Sequence, residues 1–554
     1  MSESKARLAP GNPRLAMLAR ARNHPQLVAL GAYGALFALL AVPLLARLGT
    51  APGGGPQGWR TLWSFWWWHD SLARGVSPLA CDALRWPARV PVWLSDHDLP
   101  TALAALPLWA ATPLLPEVAL HNLLLLAGYA LAGFSAYLLC QELWGGHLAP
   151  FFAGALAVTG VHAFSFGHPA ALAWPPLFFL GLVRTVRRRG PAAPLFAGAA
   201  LALTLVASRP LFLASALGAA VLLAALGREA WALAAAALAR RAALLVATFL
   251  ALAGWFGAGL LRAAHTGPWV GGEAPGGADL LALLAPGGES ALGRWLGARG
   301  PALDGAPDLH PGYLLLGLAL LGGARAKAAR PWLAVAGLGL VLSLGPTLRV
   351  GGASALDGWL PYAWLERALP ALRLWASPSR CGFLLGLGLA VAAGGALSAL
   401  SRSSRRGRLL ACALALLALG EGFPAPLLLA SLPAPRFLRD LARDPERWTV
   451  LDATGPERSS WHQVLHGHPQ VGGASMPVPA DLERLLVEAP ALRAFFAEGA
   501  LPPREEALRA LQELRVRFVI VDASRLRVAR ALKVPLAFEG EGIAVFEVPP
   551  RVSS

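Results

Sequence analysis

Long apolar runs joined by short polar connections make up the chain as far as about residue 430. Apolar residues fill these runs continuously, without the two-residue alternation that is typical of a half-buried strand. The runs are 26–48, 101–115, 117–140, 150–166, 171–183, 192–207, 210–227, 240–262, 310–323, 331–346, 380–400 and 408–430. Several are shorter than the roughly 20 residues of a straight membrane span. The pattern therefore predicts an α-helical polytopic membrane protein.

Basic clusters indicate which runs cross the membrane. Lysine and arginine are enriched in cytoplasmic connections, and the clusters lie at 184–189, 240–241, 325–330 and 402–408. If every run crossed, all four clusters would lie outside. Removing the run 101–115 from the spans places all four inside, and this run is short and contains Pro107 and Pro113. We therefore interpret it as an interfacial or re-entrant segment.

About eleven spans remain on this count, in a multi-pass protein of the inner (plasma) membrane. The basic N-terminus 1–25 is then cytoplasmic, and the transmembrane domain covers 26–432. A large first loop, 49–116, and everything after residue 432 lie on the outer side. Residues 433–554 alternate β-rich and helical stretches and end in a predicted hairpin around Glu539–Gly542, which indicates a small extracytoplasmic α/β domain.

Composition agrees with a membrane protein. Of the 554 residues, 56% are hydrophobic and 14% are charged, and the mean hydropathy is +0.53. The formal net charge of +16 comes from the basic clusters between apolar runs, so we do not expect a nucleic-acid partner. The four cysteines form neither a disulfide framework nor a metal motif.

The first loop carries the richest chemistry. Its indole side chains at Trp63, Trp66 and Trp67 share one side of a helix, and polar residues such as Ser64 and Arg74 occupy the other. This pattern predicts a helix in the membrane interface, with the rings as an anchor. Acidic and imidazole groups follow it, namely Asp70, Asp82, Asp96, His97 and Asp98.

Several short motifs together resemble a known family. They are Trp66-Trp67-Trp68, His121–Leu126, Phe166–Pro169, Ser377–Phe383, His466–Gly473 and Leu514–Val521. With a basic N-terminus, one span and a long outer loop before short spans, the chain resembles the C-type (GT-C fold) integral-membrane glycosyltransferases. Within that class it is similar to the bacterial YfhO-like and mannosyltransferase-like branch. The resemblance implies transfer of a sugar from a polyprenyl-phosphate donor to a lipid, glycan or protein acceptor outside the membrane.

The chain departs from that family at one position. A catalytic aspartate usually follows the first span, about ten residues before the tryptophans, and here Gln57 or its neighbours occupy that place. An amide cannot act as a general base. Either Asp98, Asp96 or Asp70 has taken the role, with Asp98 preferred because it stands where the loop returns to the membrane, or the protein is a degenerate, non-catalytic member.

Each candidate residue has a structural alternative. Asp96 and Asp98 have the spacing of a divalent-cation site, but an N-cap of the next helix explains them equally well. Arg209, Arg373 and Arg380 are candidate phosphate ligands, or else interfacial side chains that reach the headgroups. His97, His168 and Trp67 are candidate substrate contacts, against capping or anchoring roles. No metal or other cofactor is assigned.

Two function classes stay open: the transferase, and a non-enzymatic accessory subunit or lipid-linked-glycan transporter. A transporter places ionisable residues inside its spans, and the apolar runs contain few, such as His121 and Arg262. This scarcity favours a site at the outer surface. The expected partners are a polyprenyl-phosphate sugar and membrane lipids.

Overall fold

The computed structural model describes most of the chain. The described residues are 24–87, 89–92, 98–111, 116–159, 169–187, 190–225, 235–266, 269–270, 277–286, 290–296, 309–369, 372, 377–422, 434–472, 478–479, 490–496 and 503–550.

Helices dominate the described residues up to 422. They are α1 Pro25–Leu40, α2 Val42–Leu45, α3 Gly55–Ala73, α4 Leu99–Ala111, α5 Glu117–Trp144, α6 Leu148–Thr159, α7 Trp174–Arg187, α8 Ala192–Ala207, α9 Arg209–Ala225, α10 Ala235–Thr266, α11 Leu280–Leu284, α12 Ala291–Trp295, α13 Tyr313–Arg325, α14 Arg330–Ser343, α15 Pro361–Ala368, α16 Gly382–Ser403 and α17 Arg405–Glu421. Short 3-10 turns cover Pro169–Ala173, Lys327–Ala329 and Pro378–Cys381. Each apolar run of the sequence therefore contains a helix, although some described run ends, such as 46–48 and 344–346, are not helical.

Among the described residues, four helical stretches are long and apolar enough to cross a membrane: Glu117–Trp144, Pro169–Arg187, Ala236–Arg262 and Pro378–Ser403. These helices and the fold identify a membrane protein. The count of about eleven crossings and the orientation stay predictions. Helix α4 has 13 residues with Pro107 inside it, so it is about 20 Å long at 1.5 Å per residue, and its interfacial or re-entrant placement stays a prediction.

Helix α16 lies at the centre of the helical part. It packs against α6, α13, α14 and α17. Small residues allow this, because a Cβ on Gly322 would lie 2.0 Å from the carbonyl oxygen of Ala392 and one on Gly388 would lie 2.6 Å from that of Trp332. Close backbone approach through small residues is how helices associate in membranes, where lipid gives no hydrophobic drive between them.

The C-terminal residues form a mixed sheet with helices. The helices are α18 Arg436–Leu441, α19 Pro456–His466, α20 Pro490–Phe496, α21 Arg504–Glu513 and α22 Leu526–Ala531. The strands within the described residues are β1 Ala80–Cys81, β2 Val90–Pro91, β3 Trp269–Val270, β4 Thr347–Val350, β5 Ala353–Asp357, β6 Thr449–Asp452, β7 Val478–Pro479, β8 Val516–Val521, β9 Leu536–Gly540 and β10 Ile543–Glu547.

The four-stranded sheet has the order β6-β8-β10-β9, with β6 parallel to β8 and the other pairs antiparallel. Strand β8 is central and buried except at Arg517, and apolar clusters cover both faces of the sheet. The predicted terminal hairpin is present: Glu541 and Gly542 connect β9 to β10 with φ of +52° and +83°, the positive values that a two-residue type I′ turn requires. A domain boundary near 432 and an outer location stay predictions.

Candidate functional site

Helix α3 is enclosed by protein on several sides. The exposed fractions of Trp59, Trp63, Trp66, Trp67 and Trp68 are 3%, 1%, 6%, 0% and 6%. Trp63, Trp66 and Trp67 pack under the β1–β2 hairpin, Trp59 packs on Trp461 of α19, and Trp68 packs on Leu99 of α4. The predicted membrane-interface anchor is therefore wrong, since these rings contact protein.

Hydrogen bonds fix the side of α3 that faces the C-terminal residues. Trp63 donates its indole N–H to Oε1 of Gln463 at 2.7 Å. The amide nitrogen of Gln463 in turn donates to the carbonyl oxygens of Ala83 at 2.5 Å and His468 at 3.1 Å. One buried amide thus joins α3, the first loop and the C-terminal part of the chain.

Trp67 is a core residue. Its indole N–H donates to the carbonyl oxygen of Pro78 at 2.8 Å, and its ring stacks parallel to that of Trp63 with 6.2 Å between centroids. The guanidinium of Arg74 lies 5.3 Å from the centroid of the ring. Because the ring has no exposed surface, we replace the predicted substrate contact with a packing role.

The His466-Gly467-His468 motif is structural. The amide of His468 donates to Nδ1 of His466 at 3.0 Å, and Nε2 of His468 lies 3.0 Å from the carbonyl oxygen of Leu441, so it donates there. Burial, together with the neighbouring His468 and His462, lowers the pKa of His466 well below its usual value. Within the described residues, no group of three or more His, Cys, Asp and Glu could hold a metal ion.

Asp98 is buried at the N-terminus of α4, with an exposed fraction of 1%. Its Oδ1 accepts the amide of Thr101 at 3.2 Å and its Oδ2 accepts the Thr101 hydroxyl at 2.5 Å. These bonds make it the N-cap of α4, the structural role weighed against a catalytic one. Burial raises the pKa of the Asp98 carboxyl to about 6, although both bonds from Thr101 lower it. The carboxyl is thus mostly ionised at neutral pH and can accept a proton.

A small cavity lies beside Asp98. Its lining comes from α3, α4, α5 and the 3-10 turn before α7, namely Thr61, Phe65, Asp98, Thr101, His121, Leu124, Leu125, Pro169 and Ala170. The volume of about 10 Å³ holds about one water molecule. A sugar acceptor requires this space to widen, whereas a single water already fits it.

His121 and Asn122 hold the chain between α2 and α3. Oδ1 of Asn122 accepts the amide of Gly53 at 2.9 Å, and Nδ2 of Asn122 donates to the carbonyl oxygens of Leu48 and Ala51 at 2.7 and 2.9 Å. Nε2 of His121 lies 3.2 Å from the carbonyl oxygen of Gly53, so it carries the proton. Its Nδ1 is then an acceptor, and it has no hydrogen-bond partner among the described residues. This motif packs against the very stretch where the family places its early aspartate.

Arg209 and Arg380 belong to neighbouring turns. Arg209 begins α9 and is 3% exposed. The next residue, Pro210, has its carbonyl oxygen 3.7 Å from Sγ of Cys381, beside Arg380. Val206, near the end of α8, packs against the cluster that contains Leu99. Continuous contacts therefore connect Asp98 through the α8–α9 turn to the 3-10 turn at Arg380.

Asp70 is engaged in ion pairs at the end of α3. Its Oδ2 accepts Nε of Arg74 at 2.7 Å, and Arg74 also reaches Asp82 at 3.3 Å. Arg447 from the C-terminal part lies 3.7 Å from the same Asp82 carboxylate. Asp70 is thus held by a cation, as its four-residue spacing from Arg74 would have predicted.

The remaining predicted residues, Asp96, His97, His168 and Arg373, lie outside the described residues. Sequence reasoning missed Thr101, whose Asp-x-x-Thr spacing from Asp98 is a capping signal. It also missed His69, whose ring lies 4.9 Å from that of Trp109 and 3.9 Å from the carboxylate of Glu117. That contact joins α3, α4 and α5 and has no signal in the sequence.

No family model and no curated protein matches this sequence. Solved structures do match its fold. The arabinofuranosyltransferase AftD from Mycobacteria has a TM-score of 0.59 at 15% identity, over 94% of this chain and 40% of AftD. The oligosaccharyltransferase of Archaeoglobus fulgidus has a TM-score of 0.51 at 13% identity, over 90% of this chain and 70% of its own. ArnT from Cupriavidus metallidurans has a TM-score of 0.53 at 12% identity, over 93% and 98%.

These likenesses establish the C-type glycosyltransferase fold for the chain, as the sequence resemblance implied. The chain spans 40% of the length of AftD. Membership of the YfhO-like branch stays a prediction.

Proposed function

We propose that this protein is a membrane glycosyltransferase that moves a sugar from a polyprenyl-phosphate donor to a lipid, glycan or protein acceptor on the outer face of the membrane. One observation carries the proposal: a buried carboxylate, Asp98, is joined by continuous packing to the turns that bear Arg209 and Arg380, on a fold shared with solved sugar transferases. The archaeal oligosaccharyltransferase AglB, which has this fold, has been solved with dolichol-phosphate and an inhibitory peptide, which supports a lipid-phosphate donor here.

In the proposed reaction, Asp98 is the base. Its carboxylate takes the proton of an acceptor hydroxyl, the hydroxyl oxygen bonds to the anomeric carbon, and the bond from that carbon to the phosphate oxygen breaks. The lipid phosphate leaves with the bonding electrons. A pKa of about 6 suits this step, because the group is ionised at neutral pH yet binds a proton more strongly than an exposed aspartate.

Arg209, Arg380 and, as a prediction, Arg373 stabilise the departing phosphate. Guanidinium groups bind phosphate oxygens through two parallel hydrogen bonds, and burial strengthens such charge interactions. His97 and His168 stay proposed substrate contacts, and Asp96, two residues before Asp98, stays an alternative base. Asp70 stays the reserve base, although its carboxylate is already paired with Arg74.

The second candidate is a non-catalytic accessory protein, and two observations favour it. Asp98 already serves as an N-cap, and the cavity beside it holds about one water. In addition, the stretch Gly53–Gly58 has no carboxylate at the family's early position. If Asp98 only caps α4 and no acceptor fits beside it, the protein has the fold of a transferase without its activity.

Asp98→Asn separates the two candidates. The amide keeps an oxygen for the Thr101 bonds, so the fold is expected to stay intact, but it cannot accept a proton. We expect transfer from a radiolabelled polyprenyl-phosphate sugar, in vesicles containing the purified protein, to fall by about 10² to 10⁴-fold.

Asp357→Asn, a carboxylate in the exposed strand β5, is the matched control and should transfer at the wild-type rate. Full transfer by Asp98→Asn would indicate that Asp70 or Asp96 is the base. No transfer by the wild type with any polyprenyl-phosphate sugar would favour the accessory protein.

A further inference from the structure

A second, much larger cavity lies between the first loop and the C-terminal sheet. Its volume is about 1100 Å³. One wall comes from the first loop and consists of Asp82, Trp86, Pro87 and Arg89, and the other comes from the C-terminal part and consists of 446–449, Pro469, Gln512, 515–517 and 547–550. None of these residues lines the small cavity beside Asp98. The volume is at the upper end of the range for small-molecule sites, so it has room for several linked sugar rings.

Positive charge exceeds negative charge in this cavity. Its guanidinium groups belong to Arg89, Arg447, Arg515 and Arg517, and its carboxylates to Asp82, Glu446 and Glu547. Asp82 is already paired with Arg74 and Arg447, and Glu547 accepts Nε of Arg517 at 3.2 Å. Only Glu446 is left on the acidic side.

Arg89 from the first loop and Arg515 from the C-terminal part both line the cavity, and neither forms an ion pair within the described part of the chain. Burial and the adjacent Arg74 lower the pKa of Arg447, as expected where cations outnumber anions. The two walls therefore offer unpaired cations to a carboxylate or phosphate between them.

Aromatic and proline surface accompanies the charge. Trp86, half-buried against the C-terminal core, and Trp448 both line the cavity, together with Pro87, Pro469, Pro549 and Pro550. One face of Trp448 is covered by the guanidinium of Arg517 at 4.2 Å. Apolar ring surface beside fixed polar groups suits a ligand with C–H faces and hydroxyl edges. A saccharide has both.

Arg515 keeps its position at a conformational cost. It has φ of +55°, in the left-handed region that glycine or asparagine normally fills after a helix end. The residue follows α21, and its amide donates to the carbonyl oxygen of Gln512 at 3.0 Å. The cavity wall therefore bears a cation where the backbone favours a smaller residue.

We propose that this cavity binds an acidic saccharide, with an anionic group of the sugar held between Arg89 and Arg515. Binding of an acidic saccharide in this cavity does not depend on transferase activity. The interpretation of that saccharide as a remote part of the acceptor does rest on the proposed function. Binding distant from the reacting hydroxyl would then contribute to selection of the acceptor.

Titration of the full-length protein in detergent micelles with tetragalacturonic acid tests the proposal. The methyl ester of the same tetrasaccharide removes the charges and keeps the rings, and sodium phosphate tests for a simple anion site. We expect saturable calorimetric binding of the acid, and binding about tenfold weaker for the ester, for Arg89→Gln and for Arg515→Asn.

Arg515→Asn is informative because asparagine tolerates the left-handed backbone, so its thermal stability should equal or exceed that of the wild type while binding weakens. Arg527→Gln, an exposed arginine outside the cavity, is the matched control and should bind as the wild type does. Asp98→Asn should also bind normally, which separates a failure of this site from a failure of the transferase.

Three results would overturn the proposal. They are no saturable binding of tetragalacturonic acid to the wild type, binding by Arg89→Gln and Arg515→Asn as tight as that of the wild type, and binding of phosphate as tight as that of the saccharide. The last result would leave an anion site without sugar recognition.

Discussion

On the side of α3 that faces the C-terminal residues, Trp63 is joined by a hydrogen bond to Gln463, whose amide nitrogen donates in turn to Ala83 and His468. On the side that faces α4 and α5, the indole nitrogens of Trp68 and Trp109 and Nδ1 of His121 have no partner among the described residues. Buried polar atoms without partners are costly and uncommon. Trp63 on one side of the helix is thus hydrogen-bonded, whereas Trp68 on the side next to Asp98 has no partner among the described residues.

The difference gives separate expectations for substitutions on the two sides of α3. On the side where the hydrogen bonds are already formed, a substitution removes existing bonds, so it should lower the stability of the fold. Donors and acceptors enclosed by apolar surface gain a partner when water or substrate enters, so substitution on the Asp98 side should change activity more than folding. Each prediction below tests one part of this contrast.

The largest effect is expected from Trp63→Ala. It removes a fully buried indole and leaves Oε1 of Gln463 without its donor. We expect the free energy of unfolding in detergent to fall by about 3–5 kcal/mol, as for other large-to-small core substitutions. Trp359→Ala, at a side chain that is 73% exposed, is the control. Equal losses in both variants would contradict the structural role of this side.

A smaller effect is expected from pH, and it should have opposite signs for activity and stability. The pKa of Asp98 is about 6 in the folded protein against 3.8 for an ordinary aspartate. Transfer should therefore fall as pH drops through about 6, reaching about a tenth of its plateau at pH 5.

Stability should follow the reverse trend. Because the folded protein holds this proton more tightly, protonated Asp98 stabilises the fold fully below about pH 4, and the contribution is lost as pH rises through about 6. Chemical unfolding of the wild type between pH 4 and 7, compared with Asp98→Asn, measures it. A variant with the same pH slope as the wild type would show that another group titrates.

The smallest effect is expected from Arg74→Gln. Its pairs with Asp70 and Asp82 involve side chains that are each about a quarter exposed, so their loss should cost about 1 kcal/mol or less. Sugar transfer should not change, because Asp70 is not the preferred base. Arg443→Gln is the control. A large gain or loss of transfer in Arg74→Gln but not in the control would indicate that Asp70 is the catalytic base.

Local patterns predicted the secondary structure well. The run 192–207 matches α8 to the residue, and the hairpin predicted at the end of the chain is β9–β10. Each follows from periodicity and turn chemistry within a few neighbouring residues. The spacing of Asp70 and Arg74 likewise predicts their ion pair.

The surroundings of the tryptophans were decided by the tertiary structure. Sequence periodicity showed which side of α3 is apolar, but it does not distinguish lipid from protein as the cover, because both are apolar. The cover comes from β1–β2 and from Gln463, 400 residues from Trp63 along the chain. The burial of Asp98 arises in the same way, from α3, α5 and the turn at Pro169. The sequence by itself determined the helices, the strands and the candidate carboxylates, whereas contacts between distant segments decided which side chains are enclosed, since burial depends on packing partners that no local pattern encodes.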